Sequence, residues 1–444
     1  MNSIYLLIRS LKQLIFFICI FNTFIAFADD QSIDKLEQRL NNEPNLSDLI
    51  EYAYQFSPMI KASQAAWRES LEKYRVNNAY PDPQFLVTYW PKSVANDLNA
   101  KKLEAMLSQS IPFPGKLSAA GEVTKAEASV NRFGLDRTVR DVIIGIRESF
   151  HELLYIREAI RIAKNNQMIL EQIQTISETA YAINRSALID VMKAQSQAAQ
   201  SGYDQILLQE LEKTEITKLN SLLNRHQEAS IGPLEDMPYR KVLFSLDDIF
   251  SNAEKKREEN KIANAEIEKS EAEAKMARFE NYPEFMFGLL FETNTSDVPD
   301  ASRENMYGFQ FGLTLPLHFD KNFGRIEASK AAVDKAKAMA TTQVNETRAM
   351  VRENYFRMQN AERLIILYRD KLVPQAAKSV ETAEVWNRQG QGSITDYLEA
   401  QSVWYNFQLA LARAKADYGK YLARLEGLAG QSLTVKEELK SIQK

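Results

Sequence analysis

The 444-residue chain lays out one plan twice, about 205 residues apart. Arg147-Glu148-Ser149-Phe150 returns as Arg352-Glu353-Asn354-Tyr355. Asp190 with Ala194-Gln195-Ser196 returns as Asp396 with Ala400-Gln401-Ser402, at the same internal spacing. Upstream, Tyr80-Pro81 returns as Tyr282-Pro283, and Ile111-Pro112 as Leu315-Pro316. This period lies far outside the roughly 20–50 residues of stacked solenoid repeats. It points to two copies of one large helix-and-strand unit, over residues 29–225 and 246–430. A segment at 226–245 links them and a polar tail at 431–444 follows.

The longest part of each copy is helical. Between Leu117 and Ala182, Val139, Ile143, Ile146, Phe150, Leu153 and Ile160 recur at spacings of 4, 3, 4, 3 and 7. That is a heptad-like seam, so a coiled-coil helix is expected, roughly 100 Å long at 1.5 Å per residue. Its counterpart, Arg325 to Asn387, carries Val351, Tyr355, Met358, Ile365 and Leu372, with Pro374 as a kink point. Polar turns follow, Asn184-Arg185-Ser186 and Gly390-Gln391-Gly392-Ser393, and return helices complete hairpins over 117–225 and 325–427. The return legs are too short to cover their partners. Leu46–Ala79 and Leu246–Phe279, each read as one helix, would stack on them and make up the length. Their starts, Ser47-Asp48 and Ser245 with Asp247-Asp248, suit helix N-termini.

Between short and long helices lie two strand-like segments per copy, 84–91 and 103–112, then 285–293 and 306–316. Tyr307, Phe309, Phe311, Leu313 and Leu315 alternate with Gly308, Gln310, Gly312 and Thr314, a period of two. Phe285, Phe287, Leu289 and Phe291 alternate similarly. The first copy is weaker, with Phe85, Val87 and Tyr89, then Met106, Ser108 and Ser110. Pro81, Pro83, Pro112, Pro114, Pro283 and Pro316 mark the strand–helix junctions, because proline ends helices and makes its predecessor extended. The loops joining paired strands, Lys92–Lys102 and Asn294–Asn305, are polar. A soluble sheet could alternate this way, but coiled-coil rods leave nothing to cover its apolar face. A transmembrane barrel has an apolar outside and a polar inside, and it cannot leave a strand edge in lipid. Several chains must therefore pool their strands.

Composition narrows the address. Arg9 and Lys12, an apolar run from Leu14 to Ile25, and Ala26-Phe27-Ala28 have the layout of a cleaved signal peptide over 1–28. An uncleaved anchor would need an apolar stretch of roughly 20 residues. The single cysteine, Cys19, lies in that segment, so the mature chain has no disulfide, thiol nucleophile or lipid-anchoring cysteine. Basic residues are interspersed with acids, which is no nucleic-acid footprint. No enzyme constellation is present. His151, His226 and His318 are scattered without zinc spacing, and Gly390-x-Gly392-Ser393 follows a helix and lacks the lysine of a phosphate loop. No catalytic residue, cofactor or resident metal is expected. Asp396 and Glu399 do stand on one helix face just past the second turn, where an acid also suits a helix N-terminus.

The duplicated plan, the phrase Ile111–Val123 (IPFPGKLSAAGEV), its partner Leu315–Ala331 and the D-x-x-x-A-Q-S runs resemble the TolC-like outer-membrane efflux proteins. The wording PFPGKL is similar to the branch serving heavy-metal cation efflux, although that branch commonly has a lipidated N-terminal cysteine. The resemblance implies a mainly α fold with a β-barrel portion. A homotrimer would form a barrel of about twelve strands in outer-membrane lipid, continued by an α-helical barrel across the periplasm. It implies a passive exit duct working with a periplasmic adaptor and an inner-membrane transporter of resistance-nodulation-division or ABC type. It further implies an acidic ring at the periplasmic entrance from Asp396 and Glu399. Asp190 is the first-copy equivalent, followed by Lys193 in place of Glu399. Arg185, Ser186, Arg388, Gly390 and Gly392 would be tip-lock or adaptor contacts. Alternatives are an adaptor-like periplasmic coiled coil, or a TolC-like channel for drug efflux or type I protein secretion.

Overall fold

The computed structural model describes residues 35–90, 101–235, 240–294 and 305–434. The expected signal peptide, the centres of the two strand-joining loops and the tail beyond 434 lie outside them. In chain order the elements are α1 (Leu46–Phe56), α2 (Pro58–Asn77), β1 (Gln84–Tyr89), β2 (Lys101–Ile111), α3 (Lys116–Ala182) and α4 (Leu188–Leu223). The second copy follows with α5 (Leu246–Lys256), α6 (Glu258–Phe279), β3 (Glu284–Asn294), β4 (Asn305–Thr314) and α7 (Phe319–Leu367). A π-helical turn (Tyr368–Leu372), α8 (Val373–Arg388) and α9 (Ile394–Ala429) complete it. The element order is that of the repeat, and the fold is mainly helical with one small antiparallel sheet. Strand ends differ from the sequence expectation by one or two residues, and α7 begins six residues before Arg325.

Two expectations are corrected. The 34-residue short helices are each two helices, broken at Ser57 and at Arg257, whose backbones are extended (ψ 122° and 130°). Pro58 forces the first break. At the second, the buried Arg257 guanidinium donates to Thr347 Oγ1 at 2.7 Å and to Glu259 at 2.9 Å. The kink assigned to Pro374 is the π turn just before it. A proline ring clashes with the carbonyl four residues back, here Asp370, and the wider turn relieves that clash.

The chain forms two compact units, each drawing on both repeats. One comprises Ala62–Thr138 and Glu254–Arg348 and holds the sheet, ordered β1-β2-β3-β4 with every pair antiparallel. Directly paired residues share a face. Phe85, Leu107, Leu289 and Phe309 therefore form one apolar row across all four strands, and Val87, Ala105, Phe291 and Tyr307 form the next. This face is open: Phe309 is 93% exposed and Tyr307 79%. The register assigns Met106, Ser108 and Ser110 to the opposite face, beside Gly288, Gln310 and Gly312. The apolar positions of β2 are instead Leu103, Leu107 and Ile111. The weak alternation of the first copy concealed this. In the same unit the six junction prolines lie outside helix and strand, and Phe113, between Pro112 and Pro114, stacks on Tyr282 at 4.4 Å.

The other unit comprises residues up to Lys61, Val139–Ala253 and those from Ala349. Here the heptad seam of α3 is laid out. Val142, Ser149, Ile156, Ala163, Leu170 and Ser177 are buried at every seventh position, large alternating with small. Ile146, Phe150 and Leu153 are buried as expected, whereas Val139, Ile143 and Ile160 are only half-buried at the rim of the stripe. In the second copy Val351, Met358 and Ile365 join Ile249, Ala253, Tyr418 and Leu425 in one core. Burying a side chain of this size contributes roughly 1.5–3 kcal/mol, so these seams dominate the packing of the unit.

Candidate functional site

The residues read as functional from the sequence gather at the two helix turns of this second unit. Both turns have five residues and end their leading helix in the same way. Asn184 (φ 55°) and Gly390 (φ 71°) take the left-handed conformation. The next residue's N–H then reaches back five positions, Arg185 to the Ala180 carbonyl at 2.8 Å and Gln391 to Trp386 at 2.9 Å. This is the Schellman closure, which satisfies carbonyls a helix end leaves open. Only glycine and asparagine enter this backbone region readily.

The return helices open differently. Ser393 Oγ accepts from Asp396 N at 3.0 Å, and Asp396 Oδ2 accepts from Ser393 N at 3.3 Å, a closed capping box. Asp190 holds the same third position in α4, but its cap residue is Ala187. Its Oδ2 accepts from Ser186 Oγ at 3.0 Å and from Ala187 N at 3.4 Å, which leaves Oδ1 free to point elsewhere. That oxygen accepts from Thr395 Oγ1 at 3.0 Å, and Lys193 Nζ donates to the same hydroxyl at 3.4 Å. The first turn is thereby bonded to the second. The reverse bond cannot form, since the first-copy counterpart of Thr395 is Ile189.

Asp396 and Glu399 are both exposed and line a shallow depression of about 370 Å³ with Ser379 and Phe407. Arg388 is paired with Glu384 one helical turn back, while Arg185 is exposed. Burial raises the pKa of the neighbouring Tyr397 phenol, and the Glu384 carboxylate adds to the rise. Beneath the tips, Ile394, Tyr397 and Leu398 of α9 pack with Leu170, Ile173, Ala194 and Ala198.

Sequence reasoning missed Thr395, which no motif marks, and a buried polar relay. Gln401, 1% exposed, donates to Asn166 Oδ1 at 2.8 Å, and Asn166 Nδ2 lies 3.3 Å from Ser201 Oγ. The signal for Gln401 lay in the repeated A-Q-S run. Its first-copy counterpart, Gln195, is exposed and donates to Glu178 at 3.2 Å, so the repeat identified the position but not its burial. Among the described residues there is no group of three or more His, Cys, Asp or Glu able to hold a metal ion. Nor, among them, is any helix long and apolar enough to cross a membrane.

Residues 250–431 match the outer membrane efflux protein family. Over 336 residues, 71% of this chain and 68% of the relative, the sequence is 21% identical to the pyoverdine export outer membrane protein OpmQ of Pseudomonas aeruginosa. The fold is that of the outer membrane protein VceC of Vibrio cholerae, with a TM-score of 0.73 at 17% identity over 87% of this chain and 96% of that one. It is also that of CusC, with a TM-score of 0.74 at 13% identity over 87% and 92%. The second repeat thus carries the pattern of the outer membrane efflux protein family, and both repeats share the fold of VceC and CusC.

Proposed function

We propose that the chain assembles as a homotrimer into the outer-membrane exit duct of a tripartite efflux system, and that it is a passive channel without catalysis. The observation that carries this reading is the sheet. Its aromatic face is open from Phe85 to Phe309, and both edge strands, β1 and β4, lack an outer partner among the described residues. An exposed apolar sheet with two free edges is unsustainable in water and forbidden in lipid, so copies must close it. Three chains would give about twelve strands, within the range of such barrels. A periplasmic adaptor and an inner-membrane transporter of resistance-nodulation-division or ABC type supply cargo and energy. The proposed cargo is heavy-metal cations, on the wording of Pro112–Leu117; the transporter would make the selection.

At the periplasmic entrance, Asp396 and Glu399 from each chain form an acidic ring that attracts cations into a narrow pore. Asp190 belongs to the same rim and links the two turns through Thr395, and Arg185, Ser186, Arg388, Gly390 and Gly392 form the surrounding lock or adaptor surface. Fractionation tests the assembly: the protein must sit in the outer membrane and run as a heat-sensitive oligomer, and a soluble monomer refutes the duct. Planar-bilayer recording tests the ring. Asp396→Ala with Glu399→Ala raises single-channel conductance and weakens block by divalent cations. Glu399→Gln, which leaves the capping box intact, shows part of the same change. Unchanged conductance in both variants removes the ring.

A further inference from the structure

The unit that carries the turns also encloses a cavity of about 930 Å³, between α3, α9, the π turn and the chain segments near residues 233 and 434. Six cations line it: Arg147, Arg157, Arg161, Arg240, Arg369 and Lys415. The two lining carboxylates are already engaged. Arg161 donates to Glu158 at 2.6 Å and Arg147 to Glu426 at 2.5 Å, while Glu426 also accepts from Ser432 Oγ and Leu433 N. From outside the lining, Glu212 takes Arg157 and Asp370 takes Arg369. Arg157 is held further by the carbonyls of Gly232 and Ile231, so it is a fixed wall. Among the described residues no carboxylate pairs with Arg240 or Lys415, both exposed, and they remain as the cationic excess.

The floor between these charges is apolar, formed by Leu154, Ile365 and Leu422. His151 closes one side. Burial holds its pKa down to about 4, and the Arg147 and Lys420 charges push it the same way. The imidazole is therefore neutral at physiological pH, and its reluctance to charge agrees with a positive potential. An apolar floor beneath uncompensated cations favours a ligand with a flat apolar body and a terminal anionic group, and the volume lies within the roughly 300–1,000 Å³ of small-molecule sites. Charge-assisted hydrogen bonds from guanidinium and ammonium groups are the strong ones, which fixes the orientation of such a ligand.

We propose that this cavity is a binding site for amphipathic organic anions, with the anionic group held by Arg240 and Lys415 and the apolar body laid over Leu154 and Leu422. The proposal is independent of the duct reading, since it needs neither the sheet nor the acidic ring.

The test is calorimetric titration of the full-length protein in lipid nanodiscs with naphthalene-2-sulfonate, using empty nanodiscs as the blank. Saturable binding is expected, with none for 2-naphthylmethylammonium, the cation of similar shape. Arg240→Gln with Lys415→Gln weakens the sulfonate at least tenfold, Arg240→Lys with Lys415→Arg restores it, and Leu422→Trp abolishes it by filling the floor. Binding no stronger than to empty nanodiscs overturns the proposal. So does equal binding of the ammonium, or affinity retained in either the Gln pair or Leu422→Trp.

Discussion

The two copies begin from one plan and bury it differently, most clearly in their leading helices. In the first, α3 runs unbroken for 67 residues; in the second, the same path is α7, a π turn and α8. The offset between copies explains the difference. Arg147 and Arg352 are 205 apart, but Ala182 and Arg388, Asn184 and Gly390, and Asp190 and Asp396 are all 206 apart. The turns have equal length, so the second copy carries one extra residue inside its leading helix. A π turn widens the helix by one residue per turn, which absorbs such an insertion without rotating the faces beyond it. The turns stay in register with each other because the helix between them is irregular.

This comparison can be broken by deletion. Removing Lys371 together with Pro374→Ala, so that no proline ring meets the carbonyl four residues back, should leave a continuous α-helix with α8 and α9 still facing their core, and the protein should assemble and melt nearly as before. Removing Lys164 from α3 rotates everything beyond it by about 100°, because a helix has 3.6 residues per turn. Leu170 and Ile173 would then leave the core they share with Ile394 and Leu398, and large-to-small changes in such cores cost about 2–5 kcal/mol per residue. Failure of the Lys164 deletion to assemble, beside a functional Lys371 deletion, is the expected outcome. Equal tolerance of both would show that the π turn does not absorb the extra residue.

A second contrast lies one residue past the repeated Arg-Glu-x-aromatic phrase. His151 is half-buried in the first copy, with Gly419 so close that a Cβ there would meet the ring at 2.4 Å. Its counterpart Phe356 is 54% exposed. The depressed pKa of His151 carries a sign. Below about pH 6.5 the unfolded imidazole takes up a proton that the folded one refuses until about pH 4, so stability is complete above 6.5 and falls across that window. The loss is about 3 kcal/mol per chain. Thermal melting followed by circular dichroism should therefore show a larger drop between pH 7 and 4.5 for the native protein than for His151→Gln. Phe356→His, placed at the exposed counterpart, should add no such dependence.

Much of the fold was legible because it rests on periodicity and punctuation. The seven-residue seam, the period of two at Tyr307–Leu313 and the junction prolines are local patterns that survive without tertiary context. What was illegible depended on register or on partners elsewhere. The face of β2 was misread because Met106 is as apolar as Leu107, and only pairing with β3 separates them. The break at Arg257 has no proline and exists because a buried guanidinium finds Thr347 ninety residues away. At the turns, the sequence marked Asp190 and Asp396 as equivalents. It could not reveal that a serine placed one residue earlier, Ser186 instead of a Ser at position 187, turns one carboxylate outward.

That last difference gives the smallest effect and the finest test. Asp396 has only its own helix start to hold, so Asp396→Ala should cost about 1 kcal/mol, the ordinary loss of a cap. Asp190 holds its helix start and also accepts from Thr395, so Asp190→Ala should cost about 2 kcal/mol, the cap and one net hydrogen bond together. Thr395→Val removes the link and neither cap. In a double-mutant cycle on melting temperature, Thr395→Val should couple to Asp190→Ala by about 1 kcal/mol and to Asp396→Ala by nothing measurable. Equal coupling to both would mean that the turns behave alike in solution. Coupling to Asp190 alone makes the first turn the anchor and leaves Asp396, bonded only within its own helix, as the carboxylate free to move with the second hairpin.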